Sequence, residues 1–303
     1  MHDSTKPREP ARVRVAVIGP GAIGGTLAAW LAQVPANELT LCVRTPFERL
    51  VVDVPDGRTL ESAPRVLVDP SAASHVDWVI TATKTYDTES AARWIERLYG
   101  PNTALAVVQN GVEHMERFTS LVPRERTVPV IIDIPAERSA PGRIRQRRDG
   151  SLIVPRGELG RRFAALFEGT PLAPSLTDDF LSAAWRKLAL NSAGAVSALT
   201  LKPAGVVRNA KAAALMRALA AECVTVGRAV GAQLADSFPD EVLERLCASA
   251  PDSVNSLLAD RLAGRRMEID ARNGVIVRMG ARHGIATPLN AMAVAILEAS
   301  SLD

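Results

Sequence analysis

The stretch Val13–Gly25, VRVAVIGPGAIGG, organises the first half of the chain. Its hydrophobic run ends in the spacing Gly19-x-Gly21-x-x-Gly24, and a small, apolar stretch follows to about Gln33. This pattern predicts a strand, a tight turn and a helix. The first glycine permits the turn, the second lets the backbone approach a pyrophosphate at the helix N-terminus, and the third lets the helix pack close to the strand. A glycine-rich turn in another kind of α/β protein is the alternative.

Composition limits the class of protein. The chain has 303 residues, of which 47% are hydrophobic, and this is enough for two domains with their own cores. The net charge is only +3 and is spread thinly, so we predict no nucleic-acid partner. Three distant cysteines argue against a zinc site or a disulfide framework and fit a reducing cytoplasm. No apolar run approaches the length of a membrane span, and the polar residues 1–11 predict a disordered lead-in.

A second predicted strand, Leu39–Val43, ends at Arg44, which bears on cofactor choice. Sites that prefer NAD usually carry Asp or Glu about 20 residues past the glycines, where the carboxylate binds the ribose 2′-hydroxyl. An arginine suits a 2′-phosphate instead, so Arg44, followed by Thr45, predicts NADP(H). In a chain this rich in arginine, an ordinary surface arginine is the alternative.

Two more predicted strands end in polar residues. Val76–Thr83 is followed by Lys84, and Thr103–Val108 is followed by a Gln-Asn-Gly triplet centred on Asn110. Because ligands of open α/β sheets bind at the carboxyl ends of the strands, we expect Lys84 and Asn110 at the cofactor edge. A solvent-facing loop lysine and a plain Asn-Gly turn are the alternatives.

The composition changes at about Asp178. Before it, Ile144–Gln146 and Ser151–Val154 predict a hairpin across Arg147–Gly150. After it come Ala/Leu-rich segments with helical periodicity, at residues 180–200, 209–231, 239–249, 253–262, 266–283 and 288–299. Alternating strands and helices followed by a run of helices predict a dinucleotide-binding domain over residues 12–175 and a helical substrate domain over residues 176–303.

Lysine is rare in this chain, whereas arginine is common. Because lysine can donate and recover a proton and arginine cannot, the few lysines are candidates for proton chemistry. Lys187 and Asn191 are four residues apart and share one helix face. That pairing suits a general acid beside a substrate-binding amide. On spacing alone, an exposed Lys–Asn pair without function is the commoner explanation.

Three other residues have local structural explanations. Ser256 opens a helical stretch, where serine is common near the N-cap. Glu268 follows a break at Gly264 and is predicted in the first turn of the next helix, where the dipole favours a carboxylate. It could also form an i,i+4 surface pair with Arg272. His283, which precedes a glycine, is predicted to end that helix.

Together these motifs resemble the ketopantoate reductases, also called 2-dehydropantoate 2-reductases. The resemblance runs from about residue 14 to residue 297, and its last pieces are Trp185-Arg186-Lys187, Glu268-Ile269-Asp270 leading to Asn273-Gly274, and Arg282–Pro288. It implies a Rossmann-type α/β N-terminal domain and an all-α C-terminal domain like that of 6-phosphogluconate dehydrogenase. It also implies NADPH-dependent reduction of 2-dehydropantoate to pantoate, a cytoplasmic step towards pantothenate and coenzyme A.

The resemblance implies a role for each candidate residue. Lys187 would be the general acid, and Glu268 would bind a substrate hydroxyl and help to position Lys187. Asn191 and Ser256 would bind polar groups of the substrate, and Lys84 and Asn110 would lie near both the nicotinamide and the substrate. The cofactor would contact Gly19, Gly21, Ala22, Ile23, Gly24, Arg44, Lys84 and Asn110, and no metal is implied.

One departure leaves the substrate open. The family often has a second Asn eight residues after the catalytic lysine, where this chain has Ala195. A lost carboxamide weakens discrimination, so a paralogue acting on another 2-oxo acid or a related carbonyl is an alternative. A β-hydroxyacid or opine dehydrogenase with the same two domains is a second alternative. A non-catalytic NADP-binding sensor is a third, but the presence of Lys187, Asn191 and Glu268 argues against it. The Ala-rich helical half offers surfaces for a homodimer, although the sequence does not give the oligomeric state.

Overall fold

The computed structural model describes residues 12–301, so the lead-in predicted over residues 1–11 lies outside the described residues. The strands are β1 (Val13–Ile18), β2 (Asn37–Cys42), β3 (Leu50–Asp53), β4 (Thr59–Ser62), β5 (Arg65–Leu67), β6 (Trp78–Thr81), β7 (Ala104–Val107), β8 (Thr127–Pro129), β9 (Ile131–Asp133), β10 (Ala136–Ala140), β11 (Arg143–Gln146), β12 (Ser151–Pro155) and β13 (Ser175–Thr177). The helices are α1 (Ala22–Leu31), α2 (Thr88–Leu98), α3 (Glu158–Ala165), α4 (Phe180–Ala193), α5 (Ala195–Thr200), α6 (Ala210–Ala229), α7 (Phe238–Cys247), α8 (Ser256–Leu262), α9 (Val275–Arg282) and α10 (Pro288–Ala299), with a π-helical turn at Asp270–Gly274 before α9.

The chain divides into two compact units. The first runs to Gln109 and resumes at His114–Asp178, and the second comprises Asn110–Glu113 and the chain from Asp179 onward. The described strands all lie in the first unit, and the second unit is helical. No helix within residues 12–301 is long and apolar enough to cross a membrane.

A six-stranded parallel sheet forms the centre of the first unit, in the order β5-β2-β1-β6-β7-β8. From β1 the chain continues to β2 on one side and later to β6 on the other side. The order therefore reverses between β1 and β6, and ligands of such sheets bind outside the carboxyl ends of the strands at this point. The residues that follow these ends include Gly19, Arg44 and Lys84.

Helices cover both faces of this sheet, which explains the unbroken hydrophobic run of β1. Val15 and Val17 are fully buried in one core cluster with residues of α1 and α3, such as Phe163. Ala16 and Ile18 point into a second cluster with residues of α2. Alternate side chains of one strand thus enter different cores, as expected for a parallel sheet buried on both sides.

The predicted hairpin across Arg147–Gly150 is wrong. Strand β11 pairs with β10 and β3, whereas β12 pairs with β9 and β13. The partners differ because β11 is held by α1: the buried Gln146 accepts a hydrogen bond at 3.0 Å from the indole Nε1 of Trp30. Tertiary contacts of this kind override the local turn signal of the sequence.

In the second unit, α4 packs against α6 through its buried face. Trp185 and Ala189 of α4 lie in one core with Leu219 and other residues of α6. A Cβ atom at Gly227 of α6 would lie 2.9 Å from the Trp185 ring, so the indole can pack here only because residue 227 has no side chain. Residues four apart share a helix face, and this burial directs the opposite face of α4 away from the core.

The helix predicted over residues 180–200 is two helices. Helix α4 ends at Ala193, Gly194 forms the junction, and α5 begins at Ala195. The carbonyl oxygen of Gly194 accepts a hydrogen bond at 2.9 Å from the side-chain Nδ2 of Asn255. The junction is therefore bonded to a residue 61 positions away, which helical periodicity does not reveal.

A substitution at Gly24 tests the close packing of α1 on the sheet. An added Cβ would lie 2.5 Å from the Gly19 carbonyl oxygen and 2.9 Å from the Cβ of Ala82. We expect Gly24→Ala to lower the free energy of unfolding in urea by about 1 to 3 kcal/mol, because overpacked backbone must shift. Gly157→Ala is the matched control, since an added Cβ there meets nothing within 4 Å. Equal losses in the two variants would contradict this account.

Candidate functional site

The glycine turn of the first unit leaves one side of its backbone open. Gly19 has a φ of +77°, and an added Cβ would lie 2.7 Å from Cγ2 of Thr83, so the turn requires glycine. At Gly21 the nearest atom to an added Cβ is 4.0 Å away, and no side chain caps α1 there. The first N–H groups of a helix have no intrahelical partner. Half-buried Ala22 and Ile23 begin α1, so this open backbone fits a pyrophosphate.

Arg44 follows β2 at the same sheet edge and is paired with a carboxylate. Its side chain is 74% exposed, and its Nη2 donates to Oδ2 of Asp87 at 2.5 Å. Asp87 ends the short 3₁₀ turn that follows Lys84. Sequence reasoning missed Asp87, although its place three residues after Lys84 put it at this edge. A phosphate approaching Arg44 would therefore compete with Asp87 for the guanidinium.

Lys84 is half-buried and lies between β6 and the turn Thr85–Asp87. The strand ends beside it are tied together by Gln109, which is 3% exposed. The Nε2 of Gln109 donates to the carbonyl oxygen and to Oγ1 of Thr83, each at 3.1 Å. The glutamine of the Gln-Asn-Gly triplet therefore fixes the geometry of the edge that carries Lys84.

In the second unit, a carboxamide lies between an ammonium and a carboxylate. Lys187 and Asn191 occupy the face of α4 opposite its buried Trp185. Nζ of Lys187 donates to Oδ1 of Asn110 at 3.4 Å, and Nδ2 of Asn110 donates to Oε2 of Glu268 at 3.0 Å. Glu268 is 5% exposed. The predicted residues Lys187, Asn110 and Glu268 are thus brought together although up to 158 positions separate them.

Two further predicted residues are joined by one that the sequence analysis did not assign to the site. Nη2 of Arg272 donates to the backbone oxygen of Asn191 at 2.7 Å, and its Nη1 donates to Oγ of Ser256 at 3.3 Å. Ser256 is exposed and is the first residue of α8, as predicted, with Asn255 as the N-cap. The Asn191 carboxamide makes no hydrogen bond with any residue from 12 to 301. It is available to a ligand.

The alternative of an i,i+4 surface pair between Glu268 and Arg272 is wrong, because both side chains are buried. Glu268 lies just before the helical residues and not in the first turn, and Arg272 lies in the π-helical turn Asp270–Gly274. Burial lowers the pKa of Arg272 to about 10, while the negative charges of Glu268 and Asp260 oppose the shift. The guanidinium therefore stays protonated at neutral pH.

Ala195 does not continue the polar face of α4. It is fully buried in an apolar cluster with Leu257, Ile269 and Leu297. Because α4 ends at Ala193 and a new helix begins, the eight-residue spacing from Lys187 does not place Ala195 on the face of Lys187.

The candidate residues fall into two groups, one in each unit. The glycine turn, Arg44 and Lys84 belong to the first unit. The second unit holds Asn110, Lys187, Asn191, Ser256 and Glu268. The first group has the chemistry to hold a dinucleotide, and the second combines a proton donor with polar groups for a small ligand.

Known proteins resemble the chain over nearly its whole length. Residues 15–158 match the family described as ketopantoate reductase PanE/ApbA, and residues 179–301 match its C-terminal part. A 2-dehydropantoate 2-reductase of Caulobacter vibrioides is 57% identical over 95% of this chain and 99% of the relative. A 2-dehydropantoate 2-reductase of Mycobacterium tuberculosis is 39% identical over 95% of this chain and 97% of the relative.

A solved structure is similar in fold. The crystal structure of a PanE/ApbA family ketopantoate reductase from Ralstonia eutropha has a TM-score of 0.86 and 29% identity, over 95% of this chain and 98% of that chain. Both halves of the sequence and the fold thus match one family. The chain belongs to the ketopantoate reductase PanE/ApbA family of oxidoreductases.

Proposed function

We propose that this protein is an NADPH-dependent 2-dehydropantoate 2-reductase that forms pantoate on the route to pantothenate and coenzyme A. The observation that carries the proposal is the chain of hydrogen bonds from Lys187 through Asn110 to Glu268. The name 2-dehydropantoate 2-reductase, given to a relative 57% identical to this chain, supports the choice of substrate. The substrate of this family is a small molecule.

Membership of the family implies a nicotinamide cofactor. The open turn at Gly21 and the start of α1 would hold its pyrophosphate, and Lys84 would lie beside it at the sheet edge. We assign the 2′-phosphate of NADPH to Arg44, whose exposed guanidinium can form a bidentate contact with phosphate. When bound, the reduced nicotinamide supplies the hydride that reaches the carbonyl carbon.

Lys187 donates the proton in this proposal. Its ammonium group stabilises the negative charge that develops on the carbonyl oxygen and then protonates that oxygen. Glu268 accepts from the amide nitrogen of Asn110, and this orients the amide oxygen towards Lys187. Glu268 also offers a carboxylate oxygen to a substrate hydroxyl. Asn191 and Ser256 supply further polar contacts to the substrate.

We also propose a homodimer and a cytoplasmic location. Exposed large apolar side chains are concentrated in the helical unit, among them Met292 and Ile296 on one face of α10. Light scattering of the purified protein measures the oligomeric state. The buried thiols Cys42 and Cys223 are unpaired, which fits a reducing compartment.

The first test is the oxidation of NADPH, followed by its own absorbance, with 2-dehydropantoate as substrate. We expect fast turnover with this pair and slower turnover with NADH or with simpler 2-oxo acids. Binding of NADPH without turnover of 2-dehydropantoate would contradict the proposal. Turnover of a different 2-oxo acid alone would identify a paralogue.

Removal of the proposed proton donor tests the mechanism. We expect Lys187→Ala to lower kcat by about 10²- to 10⁴-fold, the usual contribution of a general acid. The folded state should persist, as measured by circular dichroism, because the side chain lies outside the core. Lys211→Ala is the matched control, since Lys211 is an exposed residue near the start of α6. Near-normal turnover by the Lys187→Ala variant would contradict the assignment of Lys187 as the proton donor.

Removal of the proposed phosphate contact tests cofactor choice. We expect Arg44→Ala to raise the KM for NADPH by about 10- to 100-fold, because a charge-assisted contact is worth about 1.5 to 3 kcal/mol. The KM for NADH should change little, since NADH lacks the phosphate. Arg49→Ala removes another exposed, ion-paired arginine of the same unit and serves as the control. Equal effects on NADPH and NADH would contradict the role of Arg44.

A further inference from the structure

Arg272 carries a positive charge inside the helical unit. It is 2% exposed and lies in the π-helical turn Asp270–Gly274. Short π-helical segments cost stability and are frequent at functional sites. Among residues 12–301, three buried side-chain polar atoms lack a hydrogen-bond partner, and two of them, Nε of Arg272 and Oδ1 of Asn273, lie in this turn. Hydrogen bonds therefore do not fully satisfy the buried polar groups of this turn.

The charge of Arg272 is not neutralised by direct contact within the described residues. Its two hydrogen bonds go to neutral oxygens, the Asn191 carbonyl and the Ser256 hydroxyl. Asp260, one of the two carboxylates that act on it from further away, already accepts a hydrogen bond from Arg265 at 3.0 Å. Buried charges in proteins are normally paired, since an unpaired one is costly. An anion bound near Arg272 would remove this cost.

Arg272 touches two residues that the proposed function assigns to the substrate. Ser256 is exposed and Asn191 is half-buried, so both are accessible to a ligand, whereas Arg272 is buried. A hydroxyl that accepts a hydrogen bond still has its own proton to donate. Because Arg272 donates to Oγ of Ser256, the Ser256 proton is directed elsewhere and is available to an acceptor.

The charges of Lys187, Glu268 and Arg272 in the second unit favour the binding of a monoanion. Lys187 and Arg272 are cations and Glu268 is an anion in their ordinary ionisation states. Asp260, the other carboxylate that acts on Arg272, is paired with Arg265 and adds no net charge. The three side chains therefore carry one surplus positive charge, which a single carboxylate balances. A neutral carbonyl compound would leave the surplus in place.

We propose that Arg272 is the positioning residue that selects carboxylate substrates. It orients the Ser256 hydroxyl as a donor, and its positive charge attracts the carboxylate that Ser256 and Asn191 bind. The inference rests on the proposed function and extends it, since it names the group that makes a 2-oxo acid preferable to a neutral carbonyl compound. The carboxylate accepts hydrogen bonds from the Ser256 hydroxyl and the Asn191 carboxamide, and Arg272 acts through Ser256 and through its field.

The test compares the binding of pantoate and its neutral primary amide by calorimetry, using the full-length protein with saturating NADP⁺. We expect the wild-type protein to bind pantoate at least about 10-fold more tightly than the amide. Arg272→Met, which keeps the side-chain length and removes the charge, should weaken pantoate binding by about 10- to 100-fold and change amide binding by less than about threefold. Arg272→Lys should retain most of the preference for pantoate.

Arg282→Met is the matched control, because Arg282 is an exposed arginine at the end of α9 in the same unit. It should leave both affinities unchanged. If Arg272→Met does not fold, the wild-type ratio still decides: equal affinity for pantoate and the amide overturns the proposal. A purely structural role of Arg272 would weaken both ligands by the same factor, which also overturns it.

Kinetics separate this inference from the proposed function. With 2-dehydropantoate, Arg272→Met should raise KM far more than it lowers kcat. If Arg272→Met loses the wild-type preference for pantoate over the amide but the wild-type protein does not reduce 2-dehydropantoate, the proposed function fails and the role of Arg272 stands. If it reduces 2-dehydropantoate and Arg272→Met leaves the pantoate preference intact, the role of Arg272 alone fails.

Discussion

The burial of both faces of the parallel sheet is the constraint on which the first unit depends. Helices occupy the two faces, so the carboxyl edge of the strands is the place left for a ligand. All six strands run in one direction, and the loops after β1, β2 and β6 therefore meet at that edge. The close approach of α1, which Gly24 permits, brings the start of this helix to the same place. The sheet topology and one tight contact thus give this edge the geometry that a dinucleotide needs.

The second unit solves a different problem, the placement of charges in a helical core. The buried Trp185 fixes α4 against α6 and thereby sets which face Lys187 presents. The neutral Asn110 carboxamide then accepts a hydrogen bond from the Lys187 ammonium and donates one to Glu268. Arg272 is likewise bonded to neutral oxygens. Polar groups held in this way cost stability, and such costs are commonly found at functional sites.

At the carboxyl edge of the sheet, Arg44 is already paired with the carboxylate of Asp87. A phosphate monoester carries about 1.5 to 2 negative charges near neutral pH, more than a single carboxylate. A 2′-phosphate can therefore compete with Asp87 for the guanidinium, although the nearby carboxylate opposes it. In the proposed function, the preference for NADPH therefore depends on how much more strongly the 2′-phosphate than the Asp87 carboxylate binds the Arg44 guanidinium.

Local patterns in the sequence determined the glycine turn, the strand before it, the helix after it and the helical second half. These features depend on residues a few positions apart, and so do the shared face of Lys187 and Asn191 and the helix start at Ser256. Each could be predicted because backbone geometry and side-chain periodicity are short-range. The family resemblance supplied the roles of these residues, which spacing alone left open.

Only the tertiary structure decided which partners these elements meet. It paired β11 with β10 in place of β12, ended α4 at Ala193, and buried Glu268 and Arg272, for which the sequence also allowed a surface pair. It also joined Asn110 to Glu268 across 158 positions and to Lys187 across 77. Strand pairing, burial and the neutralisation of charge depend on groups far apart in the chain, and no local pattern records which of them will be neighbours.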